Sequence, residues 1–124
     1  MALKPRGVRV GVLTSRSVPA PFTSADDTRR AVTIDVDVEP GAIQRAVLNF
    51  VSRGEKGTRF SWSVNGNALA ALDLQEDGID LGQLEIPARF LRRGSNRIEL
   101  NRPEEGKVVE VLLPGPGLAI RSRQ

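Results

Sequence analysis

Phe60-Ser61-Trp62-Ser63-Val64-Asn65-Gly66-Asn67-Ala68-Leu69, answered by Ile86-Pro87-Ala88-Arg89-Phe90-Leu91-Arg92-Arg93-Gly94-Ser95-Asn96-Arg97-Ile98-Glu99-Leu100, decides the fold. Phe60, Trp62 and Val64 share one face of an extended segment and Ser61 and Ser63 the other, the period of two expected of a strand. Asn65-Gly66 suits a type I′ hairpin turn, which needs positive φ at both central residues. An extended Pro87 segment follows, and a Gly94-Ser95-Asn96 turn feeds a strand over Arg97–Leu100. Strands at this spacing, joined by such turns, predict an antiparallel β-sandwich.

The pattern continues on both sides. Val8, Val10 and Val12 alternate with Arg9 and Gly11, predicting a short strand. Val32, Ile34, Val36 and Val38 alternate with Thr33, Asp35, Asp37 and Glu39, so one face is buried and one wet. Arg45–Ser52 is apolar on both faces and reads as a central strand, closed by a turn over Gly54–Gly57. Ala68–Leu74 is a weak strand or return segment, Gln75–Asp80 an acidic loop, and Gln83–Ile86 a short strand limited by Pro87. Arg89–Arg93 suggests a helical turn closed by Gly94. Lys107–Leu113 reads as a long apolar strand, and Leu118–Ile120 as the strand that ends the sheet. The expectation is an all-β, two-sheet antiparallel β-sandwich of the jelly-roll kind. An irregular N-terminal arm and strand (1–29) precede the sandwich domain (30–124).

Ser15–Asp27 contains Pro19, Pro21 and a run of Ser, Thr and Asp, residues whose fixed φ or local hydrogen bonds oppose regular ladders. Links longer than about 12 residues without structure are uncommon in compact domains and often functional. Charge singles out the same region. The chain carries a net charge of +3, yet residues 1–25 hold Lys4, Arg6, Arg9 and Arg16 with no acid, while the body is mildly acidic. A basic arm on an acidic body suits an acidic neighbour, and equally suits mere solubility. The expected assembly contacts are therefore Lys4, Arg6, Arg9, Arg16, Pro19, Pro21 and Phe22.

Val64-Asn65-Gly66, Ile86-Pro87, Leu91 and Gly94-Ser95-Asn96-Arg97-Ile98-Glu99-Leu100 together resemble galactose-binding-like jelly rolls, the sandwiches found as carbohydrate-binding modules and as accessory domains of glycoside hydrolases and lyases. The likeness covers roughly residues 45–113. It implies the fold, with the glycines permitting turns and the asparagines satisfying turn backbone groups. It does not carry sugar binding with it.

Chemistry is sparsely supplied. The chain has no histidine, cysteine or tyrosine, which removes the usual general base near neutral pH, the commonest metal ligand and the thiolate nucleophile. No enzymatic activity is expected, and no cofactor. Asp35, Asp37 and Glu39 form a row along one strand face that would splay its carboxylates. Glu76, Asp77 and Asp80 cluster in a loop without diagnostic spacing, so no metal is expected either. Sugar binding through stacked rings would have to use Trp62, Phe90 or Phe22 with the acidic loop residues Glu76, Asp77 and Asp80; the periodicity around Trp62 favours the core instead. The shortage of rings and the lack of a groove-reading helix argue against nucleic acid.

No run approaches the roughly 20 apolar residues of a membrane-spanning helix. If Met1-Ala2-Leu3-Lys4-Pro5-Arg6-Gly7 opens the gene product, it lacks the apolar stretch of a secretory signal. The expected location is then the cytoplasm or a particle such as a virion. The function these residues suggest is a non-catalytic interaction or assembly protein, contacting protein neighbours in a homo- or hetero-oligomer, with virion decoration or capsid-surface proteins as one such class. A carbohydrate-binding module with a glycan partner is the alternative.

Overall fold

The valine alternation near the start of the chain becomes strand β1 (Arg9–Thr14), and Phe22–Thr23 forms a two-residue strand, β2. The computed structural model describes residues 9–14, 22–23, 30–101, 103, 107–112 and 115–122. Ala31–Val36 (β3) buries Val32, Ile34 and Val36 and exposes Thr33 and Asp35, as its period of two predicts. Pro40–Ala42 makes a 3-10 turn into Ile43–Gly54 (β4), a twelve-residue strand. Arg59–Phe60 (β5), Trp62–Val64 (β6), Asn67–Ala68 (β7) and Leu72–Asp73 (β8) are short. Gly78–Glu85 (β9), Gly94–Leu100 (β10), Glu110–Val111 (β11) and Gly117–Ser122 (β12) complete the chain.

Among the described residues every strand pairing is antiparallel. One sheet runs β1-β12-β4-β11-β2 with β9 on the other edge of β4; the second runs β3-β10-β6-β7, and β5 pairs with β8. From β3 onward the major strands alternate between sheets (β3, β4, β6, β9, β10, β12), the crossing pattern of a jelly roll. The expected all-β sandwich is the fold. Between the sheets lie Ile34, Leu48, Phe50, Phe60, Trp62, Ile98, Leu100 and Leu118, all buried. Phe50 stands 5.1 Å from Trp62 and 6.0 Å, edge to face, from Phe60.

The β6–β7 hairpin turns as its sequence requires, with φ of 50° at Asn65 and 85° at Gly66. Asn65 also reaches out of the turn: its Nδ2 donates to the Phe90 carbonyl (2.8 Å) and to Asn96 Oδ1 (2.9 Å), and its Oδ1 accepts from the Arg97 backbone N–H (2.9 Å). Asn96, fully buried, donates to the carbonyls of Arg92 (2.8 Å) and Gly94 (2.9 Å) and accepts from the Arg92 N–H (2.9 Å). The two asparagines thus satisfy the turn backbone, the structural role expected of them.

Several local expectations are corrected. The helical turn over Arg89–Arg93 is a 3-10 turn over Ala88–Phe90, and Leu91 is already extended. Asn96 claims both backbone polar groups of Arg92, which a continuing helix would have used. The long strand expected over Lys107–Leu113 is short: among the described residues 107–112 only Glu110 and Val111 are in strand, against Arg53 and Ser52, because β12 occupies β4 from Ile43 to Asn49. Phe22, placed in an irregular link, pairs in β2 opposite Val111. The chain's last strand is interior, with β1 in register along its far side from Arg9↔Ser122 to Thr14↔Gly117. Both described pieces of segment 1–29 are therefore strands of the first sheet.

Candidate functional site

Strand β9 is where the sequence and the structure differ most. The acidic loop expected over Gln75–Asp80 ends at Gly78, and the strand expected over Gln83–Ile86 runs from Gly78 to Glu85. It pairs with β4 from Gly54↔Gly78 to Val47↔Glu85. Among the described residues no strand pairs with its other edge.

Two carboxylates set the entry to this strand. Asp77 Oδ1 accepts from the Lys56 backbone N–H (2.7 Å), and Asp80 Oδ2 from the Gln75 backbone N–H (3.0 Å). Farther along, Gly82 lies opposite Phe50, and a Cβ there would sit 2.3 Å from the phenyl ring. Only glycine lets β9 cross the ring without displacing it. The inner face of β9 consequently carries Asp80, Gly82 and Leu84. Beneath it opens a cleft of about 300 Å³ between β9 and the β5–β8 pair, floored by Phe50 and Phe60 and rimmed by Asp73, Gln75, Asp80 and Gln83.

The outer face of β9 is apolar where it is most exposed. Ile79 is 62% exposed and Leu81 79%. Leu81 faces Val51 across the ladder, and Val51 in turn accepts the Leu112 N–H (2.9 Å), so an apolar row runs from β9 across β4 to the residue that follows β11. On β4 the neighbouring Val47 and Val51 are half-buried. Polar pairs flank the row: Arg45 on Glu85 (2.6 Å), Gln83 on Asn49 (2.9 Å), and Arg53 on Glu110.

The ladder also fixes which backbone groups of β9 are open. The Ile86 N–H donates to the Ala46 carbonyl (2.9 Å). Hydrogen-bonded pairs alternate along an antiparallel ladder, so Leu84, Gly82 and Asp80 bond to β4. Ile79, Leu81, Gln83 and Glu85 then direct their N–H and C=O groups to the free edge.

The residues the sequence singled out are scattered. Lys4, Arg6, Arg16, Pro19 and Pro21 lie outside the described residues, whereas Arg9 sits in β1 opposite Ser122 and Phe22 in β2. Trp62 is 0% exposed and offers no ring face to a ligand, a correction to its place among possible sugar contacts. Phe90 is half-buried against the core, with the Arg89 guanidinium 5.0 Å from its ring centroid. Glu76 and Asp77 are exposed, but Asp80 belongs to the strand, its side chain turned toward the cleft. Among the described residues no three His, Cys, Asp or Glu converge as a metal would require, and no helix is long and apolar enough to cross a membrane.

Perturbed titratable groups lie on exposed ion pairs. Arg59 holds the Asp73 carboxyl below its usual range through a hydrogen bond (3.0 Å), and Asp73 raises Arg59 in return. Hydrogen bonds to Glu39 (3.1 Å) and Asp37 (3.2 Å) raise Arg93. The described residues thus present an exposed apolar row outside β9 and a polar-rimmed cleft inside it.

No family model matches the sequence, and no curated protein matches it. Among solved structures, dimeric latent PorU from Porphyromonas gingivalis is similar, with a TM-score of 0.62 at 12% identity. The likeness covers 98% of this chain and 13% of that one, and at such identity it establishes a shared fold alone.

Proposed function

We propose that this chain is a non-catalytic interaction domain that joins a larger protein assembly through the outer face of its first sheet. The observation that carries the reading is the apolar row of Ile79, Leu81 and Val51 beside the unpaired edge of β9. A two-layer sandwich needs only its inner faces apolar, and contiguous exposed apolar surface marks a place of contact. That a similar fold makes up a small part of a much longer chain supports the role of a building block. A particle surface, that of a virion included, is one setting for such a domain.

A photo-crosslinking amino acid at Leu81, with one at Thr33 on the outer face of the second sheet as control, tests the reading in extracts of the source cells. A partner of the same mass trapped repeatedly from Leu81 but not from Thr33 is expected. Equal trapping from both, or none from Leu81, removes the reading. The second reading, a carbohydrate-binding module, is favoured by the polar-rimmed cleft. Glycan-array binding that disappears in a folded Asp80→Ala variant would put it first.

A further inference from the structure

We infer that the free edge of β9 takes up an extended segment of another protein, one that alternates apolar and basic residues, as an added strand of the first sheet. The inference rests on the interaction reading above and specifies its geometry and chemistry. Main-chain pairing at an open edge provides the attachment, and alternate side chains provide the selectivity.

Three observations converge on this strand. It is eight residues long, longer than most edge strands in this fold, and its outer side chains at Ile79 and Leu81 stand in solvent. The same residues, with Gln83 and Glu85, direct unpaired backbone donors and acceptors outward, so apolar contact and ladder hydrogen bonds would be made together. Such edges are usually guarded by short length, lysine, proline or an inward-pointing charge; β9 has neither lysine nor proline, and its guard, the inward Asp80, repels acidic strands but not basic ones.

Charge selects the occupant. Residues 76–85 hold Glu76, Asp77, Asp80 and Glu85 and no Lys or Arg. Arg45 pairs with Glu85, while among the described residues Asp77 and Asp80 accept hydrogen bonds only from the backbone N–H groups of Lys56 and Gln75. A second copy would bring an identical acidic strand alongside, placing like charges close together, which is destabilising. A basic strand instead sets its lysines on the inner face, toward Asp80, while its apolar residues cover Ile79 and Leu81 on the outer face.

The probe is a fluorescein-labelled nine-residue peptide of alternating lysine and valine, titrated by anisotropy against the whole chain. Two further peptides carry N-methyl groups, on every lysine amide or on every valine amide, which preserve charge and apolarity but block one hydrogen-bonding side. A fourth has glutamate for lysine. Micromolar binding of the parent is expected, with at least a tenfold loss for one N-methylated peptide and little change for the other. The glutamate peptide should bind at least tenfold more weakly than the parent. Leu81→Pro, which removes an outward N–H and leaves the bonds to β4, should weaken parent binding at least tenfold while circular dichroism stays unchanged.

Equal binding by both N-methylated peptides overturns edge pairing, and equal binding by the glutamate peptide overturns the charge selection. A dimer of the chain alone in light scattering, lost in Leu81→Pro, makes a second copy the occupant and overturns the proposal. If no peptide binds although Leu81 crosslinks a partner, edge pairing falls and the interaction reading stands. If neither occurs, both fall.

Discussion

On the outside of the second sheet, Ser95 donates to Asp35 (3.0 Å), Arg97 to Glu99 (3.1 Å), and Asn101 to Ser61 (3.0 Å) and Ser63 (2.8 Å). On the outside of the first sheet, Val47, Val51, Ile79, Leu81 and Ala119 occupy the comparable positions. The inner faces are alike, both packed with valine, leucine, isoleucine and aromatic rings. Folding needs one apolar face per sheet and is indifferent to the other. An exposed apolar row among the polar pairs of one outer face, with no counterpart among the described residues of the other, is thus a property that folding does not explain.

The largest test of this contrast removes what locks the second sheet. Asn96→Ala should leave the Arg92 and Gly94 carbonyls, the Arg92 N–H and Asn65 Nδ2 each without a partner that Asn96 now supplies. At 1–3 kcal/mol for a buried polar group left unsatisfied, partly relieved by water, a loss of about 3 kcal/mol is expected. Urea unfolding checks it, and a loss below about 1 kcal/mol would mean that packing alone holds this end of the sandwich.

The first sheet has its own dependence, on close approach instead of polar locking. Gly82→Ala would drive a methyl group into the Phe50 ring, a case of overpacking that costs roughly 1–3 kcal/mol. Gly82→Ala combined with Phe50→Leu should recover part of that loss. An additive pair of changes in a double-mutant cycle would show that the two residues do not press on each other.

How much of this was legible beforehand follows from the phase of each pattern. Apolar residues turned inward, as in Val32–Val36 and Phe60–Val64, give both the strand and its buried face directly. In β9 the phase is inverted at its start: Ile79 and Leu81 point out while Asp80 and Gly82 point in. Asp77, Gly78 and Asp80 then imitate a turn, and the candidate docking surface reads as an acidic loop. The Ile79-Asp80-Leu81 alternation was the signal available; its partner strand was not, since pairing with β4 is remote in sequence. Lys107–Leu113 failed for a related reason. Its apolar content suggests a strand, but β12 takes this side of β4 up to Asn49, leaving it the short stretch from Val51 to Arg53 that Glu110, Val111 and Leu112 meet. Val108 is left exposed by 49% while Val109 and Val111 are buried.

A smaller effect comes from changing the outer faces themselves. Ile79→Ser with Leu81→Ser should alter stability by no more than about 0.5 kcal/mol, since exposed side chains contribute little to folding. The double variant should nonetheless elute earlier from a hydrophobic-interaction column and lose the Leu81-dependent contacts. If it unfolds instead, Ile79 and Leu81 belong to the core, and the contrast between the two outer faces disappears.

The smallest effect tests whether exposed polar pairs, wherever they lie, are incidental to folding. Arg59 and Asp73 face each other across β5 and β8, with Arg59 Nε donating to Asp73 Oδ1 (3.0 Å) and Nη2 to Oδ2 (3.4 Å). That hydrogen bond lowers the Asp73 carboxyl below its ordinary range. A carboxyl depressed in the folded state adds stability above its unfolded pKa of about 4, and the addition is lost as pH falls through the folded value. Native protein should therefore melt slightly above Asp73→Asn at pH 7, with the two melting temperatures converging as the pH drops below about 4. Solvent and salt screen the pair, so half-molar sodium chloride at pH 7 should bring the same convergence. A gap of several degrees that survives both acid and salt would make the β5–β8 pair a structural clamp. The cleft beneath β9 would then have one fixed wall, which would favour the carbohydrate reading and leave the outer face of β9 untouched.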